Sequence, residues 1–86
     1  MDIHQLISII KNKIEKNIIV QEMSVNDKTY LHKNHLSHQE GKFHIQLIIK
    51  SSELLKYNKI QATKKIYNIL DDEIKKYIHS IQLLIN

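Results

Sequence analysis

Eight residues near the middle of the chain set the terms for everything around them. In the segment 43–50, Phe43, Ile45, Leu47 and Ile49 alternate with His44, Gln46, Ile48 and Lys50. Successive side chains of a strand point to opposite faces, so a period of two is the signature of a half-buried strand. One strand cannot bury its apolar face alone. It needs partners in a sheet and an apolar layer to cover them. The alternation also places His44 on the polar face beside Gln46 and Lys50, where a surface or hydrogen-bonding role is expected.

The flanking sequence supplies both partners and cover. Ile3, Leu6, Ile7, Ile10 and Ile14 recur at the spacing of one helical face. Asp2 is placed to cap that helix, with Gln5 as its capping-box partner, so a helix is expected over residues 3–14. The β-branched run Ile18–Val25 reads as a first strand. The polar stretch 26–41 contains the only glycine, Gly41, and reads as mostly loop. Ser51 and Ser52 offer an N-cap for a short helix through Glu53, Leu54 and Leu55. A longer helix carries Ala62, Ile66, Ile69, Leu70 and Ile74 on one stripe, with Lys75 and Lys76 against the negative end of its dipole. A final strand puts His79, Ile81, Leu83 and Ile85 on one face. The order is α-β-β-α-α-β, an α+β fold in which all helices cover one face of a three-stranded sheet. One domain over residues 1–86 is expected.

Composition narrows the chemistry. There is no cysteine and a single glycine among 86 residues. A disulfide framework is excluded, in keeping with a reducing compartment. Neither a Gly-x-Ser-x-Gly elbow nor a glycine-rich phosphate loop can be built. The carboxylates Asp71, Asp72 and Glu73 read as a solvated helix face. No apolar run approaches transmembrane length, and the N-terminus lacks a basic leader. The expectation is a soluble, cytoplasmic, non-enzymatic protein with no membrane partner. The net charge of +4 comes from thirteen lysines without one arginine. Isoleucine, lysine and asparagine together make up 37 of the 86 residues. That skew reads as a bias spread over the whole chain, and arginine, the residue best suited to bidentate phosphate and guanine recognition, is absent.

Histidine is what remains for chemistry. His32, His35 and His38 recur every three residues in the expected loop, His44 follows closely, and His79 stands far downstream. Neutral imidazoles gathered in this way are candidates for metal ligation or proton handling, and equally for exposed polar positions. Strand parity puts His79 on the covered face, as a satisfied core residue. Its place at the start of the strand also allows it to sit at the sheet's rim with one ring nitrogen outward.

These residues together resemble the BolA family. The family's loop pattern Asp-x-Ser-x-x-His-x-Gly-His is matched by Asp27, Thr29, His32 and His35, with Asn34 in place of glycine. Its next block, a histidine opening the second strand and a serine closing it, is matched by His44 through Ser51. The match continues without a gap through Ile66, Tyr67 and Leu70 and finishes on the histidine that opens the last strand, His79. The N-terminal helix matches in pattern only. The family's Arg-His-Arg at the start of its long helix is here Ala62-Thr63-Lys64, and its Phe-x-Gly is Leu54-Leu55-Lys56.

The resemblance implies a type II KH-like fold and an iron–sulfur trafficking or regulatory role. BolA proteins pair with monothiol glutaredoxins of the Cys-Gly-Phe-Ser type and share a [2Fe–2S] cluster. Glutaredoxin supplies its cysteine and a bound glutathione thiol, and BolA supplies a loop histidine and the C-terminal histidine. Carried over by position, these ligands are His32 and His79, with His35 as the fallback loop ligand. The isolated chain is then expected to be a monomer without the cluster. Two other readings stand beside this one. Lys56, Lys59, Lys64 and Lys65 gather around the start of the long helix and suggest a DNA-binding transcriptional regulator, although lysine alone implies weak, sequence-blind binding. A stand-alone metal site using His32, His35 and His38 is the third.

Overall fold

The computed structural model describes residues 1–29 and 42–86. The first helix, α1, runs over Ile3–Asn17 and begins with the expected capping box. The Asp2 side chain accepts from the Gln5 N–H at 2.8 Å, and the Gln5 side chain accepts from the Asp2 N–H at 3.1 Å. Two otherwise orphaned donors are thereby satisfied. The helix goes one turn beyond the expected Ile14, and the Asn17 amide donates to the Lys13 carbonyl at its end (2.7 Å). Leu6, Ile10 and Ile14 are buried along one face.

Strand β1 spans Glu22–Asp27, four residues later than the β-branched run suggested. The reason lies in where the backbone of 18–21 finds its partners. Ile18 closes α1 through its N–H to the Ile14 carbonyl (2.9 Å), and Ile19 bonds the side chains of Ser51 and Glu53. Ladder pairing starts only once the chain has passed Gln21, whose N–H reaches the Lys50 carbonyl at 2.8 Å.

Strand β2 occupies Phe43–Lys50, as its alternation demands. It is the central strand, antiparallel to β1 and parallel to β3, Ile78–Ile85. Between β2 and β3 come a 3-10 turn over Leu54–Lys56, helix α2 over Lys59–Ile69 and helix α3 over Asp71–Lys76. Parallel neighbours require such a crossover. The expected single long helix is therefore two, divided at Leu70 (φ −99°, ψ 17°). The acidic triplet Asp71, Asp72 and Glu73 forms the first turn of α3 and Lys75 and Lys76 its last. That charge order suits a fresh helix dipole better than a continuing one.

Val25, Ile45, Leu47 and Ile49 from the sheet pack with Leu6, Ile10, Ile14, Leu54, Ala62, Ile66 and Leu70 in one core, so the helices share a face of the sheet. Glu73 is the exception inside this layer. It is buried, and Lys13 of α1 binds both its carboxylate oxygens at 2.9 and 2.8 Å. It is not part of a solvated helix face, because it continues the buried stripe Ala62, Ile66, Leu70 at helical spacing. A buried carboxylate needs such a partner. Asp71 does lie in solvent, in an i,i+4 pair with Lys75.

Candidate functional site

The site is built around the start of β2 and β3. Across the parallel pair, Phe43 is opposite Ile78 and His44 is opposite Ser80. One residue of β3 is thus extra to the ladder, and that residue is His79. A bulge of this kind breaks the parity of a strand and re-aims the additional side chain. Its effect is visible on both sides. Ile78 is buried and Ile81 packs on the core, although they are three positions apart and a regular strand would put them on opposite faces.

His79 accordingly does not follow Ile81, Leu83 and Ile85 into the layer under the helices. It is half-buried at the sheet's rim, in a groove with Tyr67, Ile74, Ile78 and Ile81. Its ring meets that of His44, with centroids 4.8 Å apart and planes inclined by 51°.

His44 departs from expectation in burial. It belongs to the open sheet face, as its parity requires, yet it is only 4 % exposed. Its Nδ1 lies 2.6 Å from the Ser80 hydroxyl. Its backbone N–H donates to the Thr29 hydroxyl (3.1 Å) and its carbonyl accepts from the Lys28 N–H (2.8 Å). The Asp27 side chain in turn accepts from the Thr29 N–H at 2.9 Å and from the Thr29 hydroxyl. Asp27 and Thr29, the first residues of the histidine-bearing motif, are thereby folded back onto the start of β2. Farther along the open face, Asn26, Gln46 and Gln82 form a row of amide hydrogen bonds across all three strands (3.1 and 3.2 Å).

His32, His35 and His38 lie outside the described residues, so the pairing of His32 with His79, the fallback at His35 and the three-histidine site fall there as well. Among the described residues, no group of three or more histidine, cysteine, aspartate or glutamate side chains could hold a metal ion. The lysines occupy the other end of the sheet. Lys56 closes the 3-10 turn and Lys59 opens α2. Lys56, Lys59 and Lys64 are exposed, and Lys65 places its ammonium 5.7 Å from the centre of the Tyr57 ring. The start of α2 is capped by Asn58, whose side chain accepts from the Gln61 N–H at 2.8 Å. Among the described residues no helix is long and apolar enough to cross a membrane.

Sequence reasoning missed the Ser80–His44–His79 contact. A signal was available: apolar residues at 78 and 81 bracketing two polar ones cannot both reach the core from an unbroken strand.

Comparison with known proteins agrees with this architecture. At 27 % identity over 75 residues, the chain is similar to the DNA-binding transcriptional regulator BolA of Haemophilus influenzae, covering 87 % of this chain and 70 % of that protein. It is 28 % identical over 80 residues to SufE-like protein 1, chloroplastic/mitochondrial, of Arabidopsis thaliana, where 87 % of this chain corresponds to only 22 % of the longer protein. Among solved structures, the BolA domain of SufE1 from Arabidopsis thaliana superposes with a TM-score of 0.79 at 24 % identity, over 100 % of this chain and 93 % of that one. BolA1 from the same plant gives a TM-score of 0.76 at 20 % identity, over 92 % and 87 % of the two chains. The family model described as BolA-like protein matches residues 14–86, and the chain belongs to that family.

Proposed function

We propose that this protein is a non-catalytic adaptor of iron–sulfur metabolism that pairs with a monothiol glutaredoxin. In this reading it co-ligates a bridged [2Fe–2S] cluster through His79 and a histidine of the Asp27–His35 motif, His32 before His35. The observation that carries the reading is the bulge at His79. It turns an imidazole out of the ladder to a half-buried rim, beside the point where Thr29 is tied to β2.

The donor set fits such a group only if it is shared. The chain holds no thiol, and the imidazole of His79 is half-buried at the rim, so in this reading the thiolates come from a partner protein and glutathione. Mixed thiolate and imidazole ligation raises a cluster's potential above that of all-cysteine ligation and makes binding depend on neutral histidine. What this chain contributes is a donor held in place on a strand end and a surface beside it.

Anaerobic reconstitution with a Cys-Gly-Phe-Ser glutaredoxin and glutathione tests the reading by visible circular dichroism. His79→Ala and His32→Ala are each expected to change the spectrum of the heterocomplex. An unchanged spectrum in both variants refutes the ligand assignment.

A second reading rests on the Haemophilus relative, named as a DNA-binding transcriptional regulator, together with Lys56 before α2, Lys59 at its start and Lys64 and Lys65 along it. It describes a regulator whose lysines contact phosphates. Binding of one operator far more tightly than random DNA at near-physiological salt supports it. Equal and weak binding to both counts against it.

A further inference from the structure

We propose that His44, pinned by Ser80, is a positioning residue that fixes the ring of His79 for ligation; this rests on the reading of His79 as a ligand. Three observations converge on it. A bulge frees His79 from the ladder, and a side chain so released needs a wall to define its direction. The wall is the His44 ring, 4.8 Å away and inclined by 51°. That wall is itself immobilised at three points: the ring through the Ser80 hydroxyl, the N–H through Thr29 and the carbonyl through Lys28. The arrangement is economical, because Ser80 adjoins the residue being oriented and is also the ladder partner of the residue that orients it.

Surface chemistry alone does not account for a histidine here. At 4 % exposure His44 gains nothing from a solvated charge, and burying a polar ring is costly unless its hydrogen bonds are made. An aliphatic residue at this strand position would fill space without anchoring to Ser80. A histidine both fills the space and locks to the neighbouring strand. Partners that orient a metal-binding histidine by hydrogen bonds change metal affinity by about 10- to 100-fold when removed, and loss of a packed wall is expected to act in the same direction.

The test uses the full chain with isotope-labelled histidine, and two variants that probe different parts of the device. Ser80→Ala removes the pin, and the hydrogen bond to the buried His44 ring with it, at a position that is itself exposed. His44→Asn keeps a polar atom near the place of Nδ1 and removes the ring. In the free wild-type protein, nuclear Overhauser contacts are expected between the ring protons of His44 and His79. In both variants the His79 ring resonances are expected to shift towards those of an exposed histidine, while Ser80→Thr retains the wild-type pattern. In the reconstituted glutaredoxin complex, both variants are expected to hold the cluster at least about tenfold less well. Thermal unfolding checks that each variant is folded. Wild-type His79 resonances in folded Ser80→Ala and His44→Asn overturn the proposal. The outcome is separable from the ligand reading, because the resonance measurement needs no cluster, whereas His79→Ala judges ligation alone.

Discussion

Ser51 offers the sharpest test of how the sheet is joined to its helices. It is fully buried directly after β2, and its hydroxyl does two things at once. It donates to the Ile19 carbonyl at 2.6 Å, holding the segment that leaves α1, and accepts from the Leu54 N–H at 3.1 Å, capping the 3-10 turn. Ser51→Ala removes both bonds and changes the side-chain volume little. A lost cap costs about 1 kcal/mol, and a lost buried hydrogen bond costs about another 1 kcal/mol, more if the carbonyl stays unsatisfied. The sum is about 2–3 kcal/mol, a large share of the roughly 5–15 kcal/mol that stabilises a small domain. At about 4–8 °C per kcal/mol for this size, the Tm is expected to fall by at least about 8 °C. Urea titration followed by far-ultraviolet circular dichroism measures the loss, with Ser52→Ala, at the exposed neighbouring position, as the control that stays within about 0.5 kcal/mol of wild type. A loss below about 0.5 kcal/mol for Ser51→Ala refutes the argument, since it means that Ile19 and Leu54 find other partners unaided.

Three other outcomes follow from the same structure. The Glu73 carboxylate beside Lys13 holds the Lys13 ammonium's pKa above its usual value, so the pair's contribution is complete below about pH 10.5 and fades as pH rises through the raised value. Glu73→Gln is expected to flatten that alkaline loss, and parallel urea-midpoint curves for wild type and variant between pH 8 and the alkaline limit count against it. Deleting His79 converts the bulge into a regular ladder with Ile78 and Ile81 still on the core face, so cooperative unfolding is expected to survive while the cluster signal is lost. Deleting Gln82 instead flips Leu83 or its upstream neighbours to the wrong face, and comparable stability of the two deletions refutes the register argument. If DNA is bound through Lys56, Lys59, Lys64 and Lys65, four phosphate contacts limit the salt slope to about −3.6, and affinity falls on the order of a hundredfold between 50 and 200 mM salt. Replacing all four lysines with alanine removes most of that slope, and an unchanged slope places the contacts elsewhere.

What was legible beforehand follows from which interactions are local. The capping box at Asp2 and Gln5, the stripe Leu6, Ile10, Ile14 and the alternation in β2 are set by neighbours within a few residues, and each appears where expected. The boundaries that moved are governed by distant partners. Ile18 and Ile19 have strand-like composition, but their backbone is claimed by Ile14, Ser51 and Glu53. Glu73, just past the break at Leu70, is held by Lys13, sixty residues away in sequence. The same limit applies to the site. Resemblance singled out His79, but its direction depends on a register shift between two strands that no single segment encodes. For His44 the sequence allows a surface or a hydrogen-bonding role, and the hydrogen bond to Ser80 is there; its burial is not legible, because parity describes which face a side chain points to and says nothing of what covers that face.

The parallel pairing of β2 and β3 also bears on the two functional readings. Both strands begin at the histidines and end near the lysines: β2 runs from His44 to Lys50, and the last residues of β3, Leu83–Ile85, lie in a groove with Leu55, Tyr57 and Lys59. Six strand steps separate the two ends, about 20 Å at 3.3 Å per residue. A cluster-bearing partner at the His79 rim and a phosphate backbone at Lys56 and Lys59 would therefore meet different ends of the sheet, with Lys64 and Lys65 between them, within a turn of Tyr67 in the His79 groove. Neither reading excludes the other on steric grounds, and the choice between them cannot be made by showing that one is true. It can be made by separation. Substitutions at Lys56, Lys59, Lys64 and Lys65 should leave the heterocomplex spectrum intact, and Ser80→Ala should leave any DNA affinity intact. If each set of changes disturbs both activities, the two ends are coupled through the sheet, and cluster binding becomes the signal that DNA binding reports.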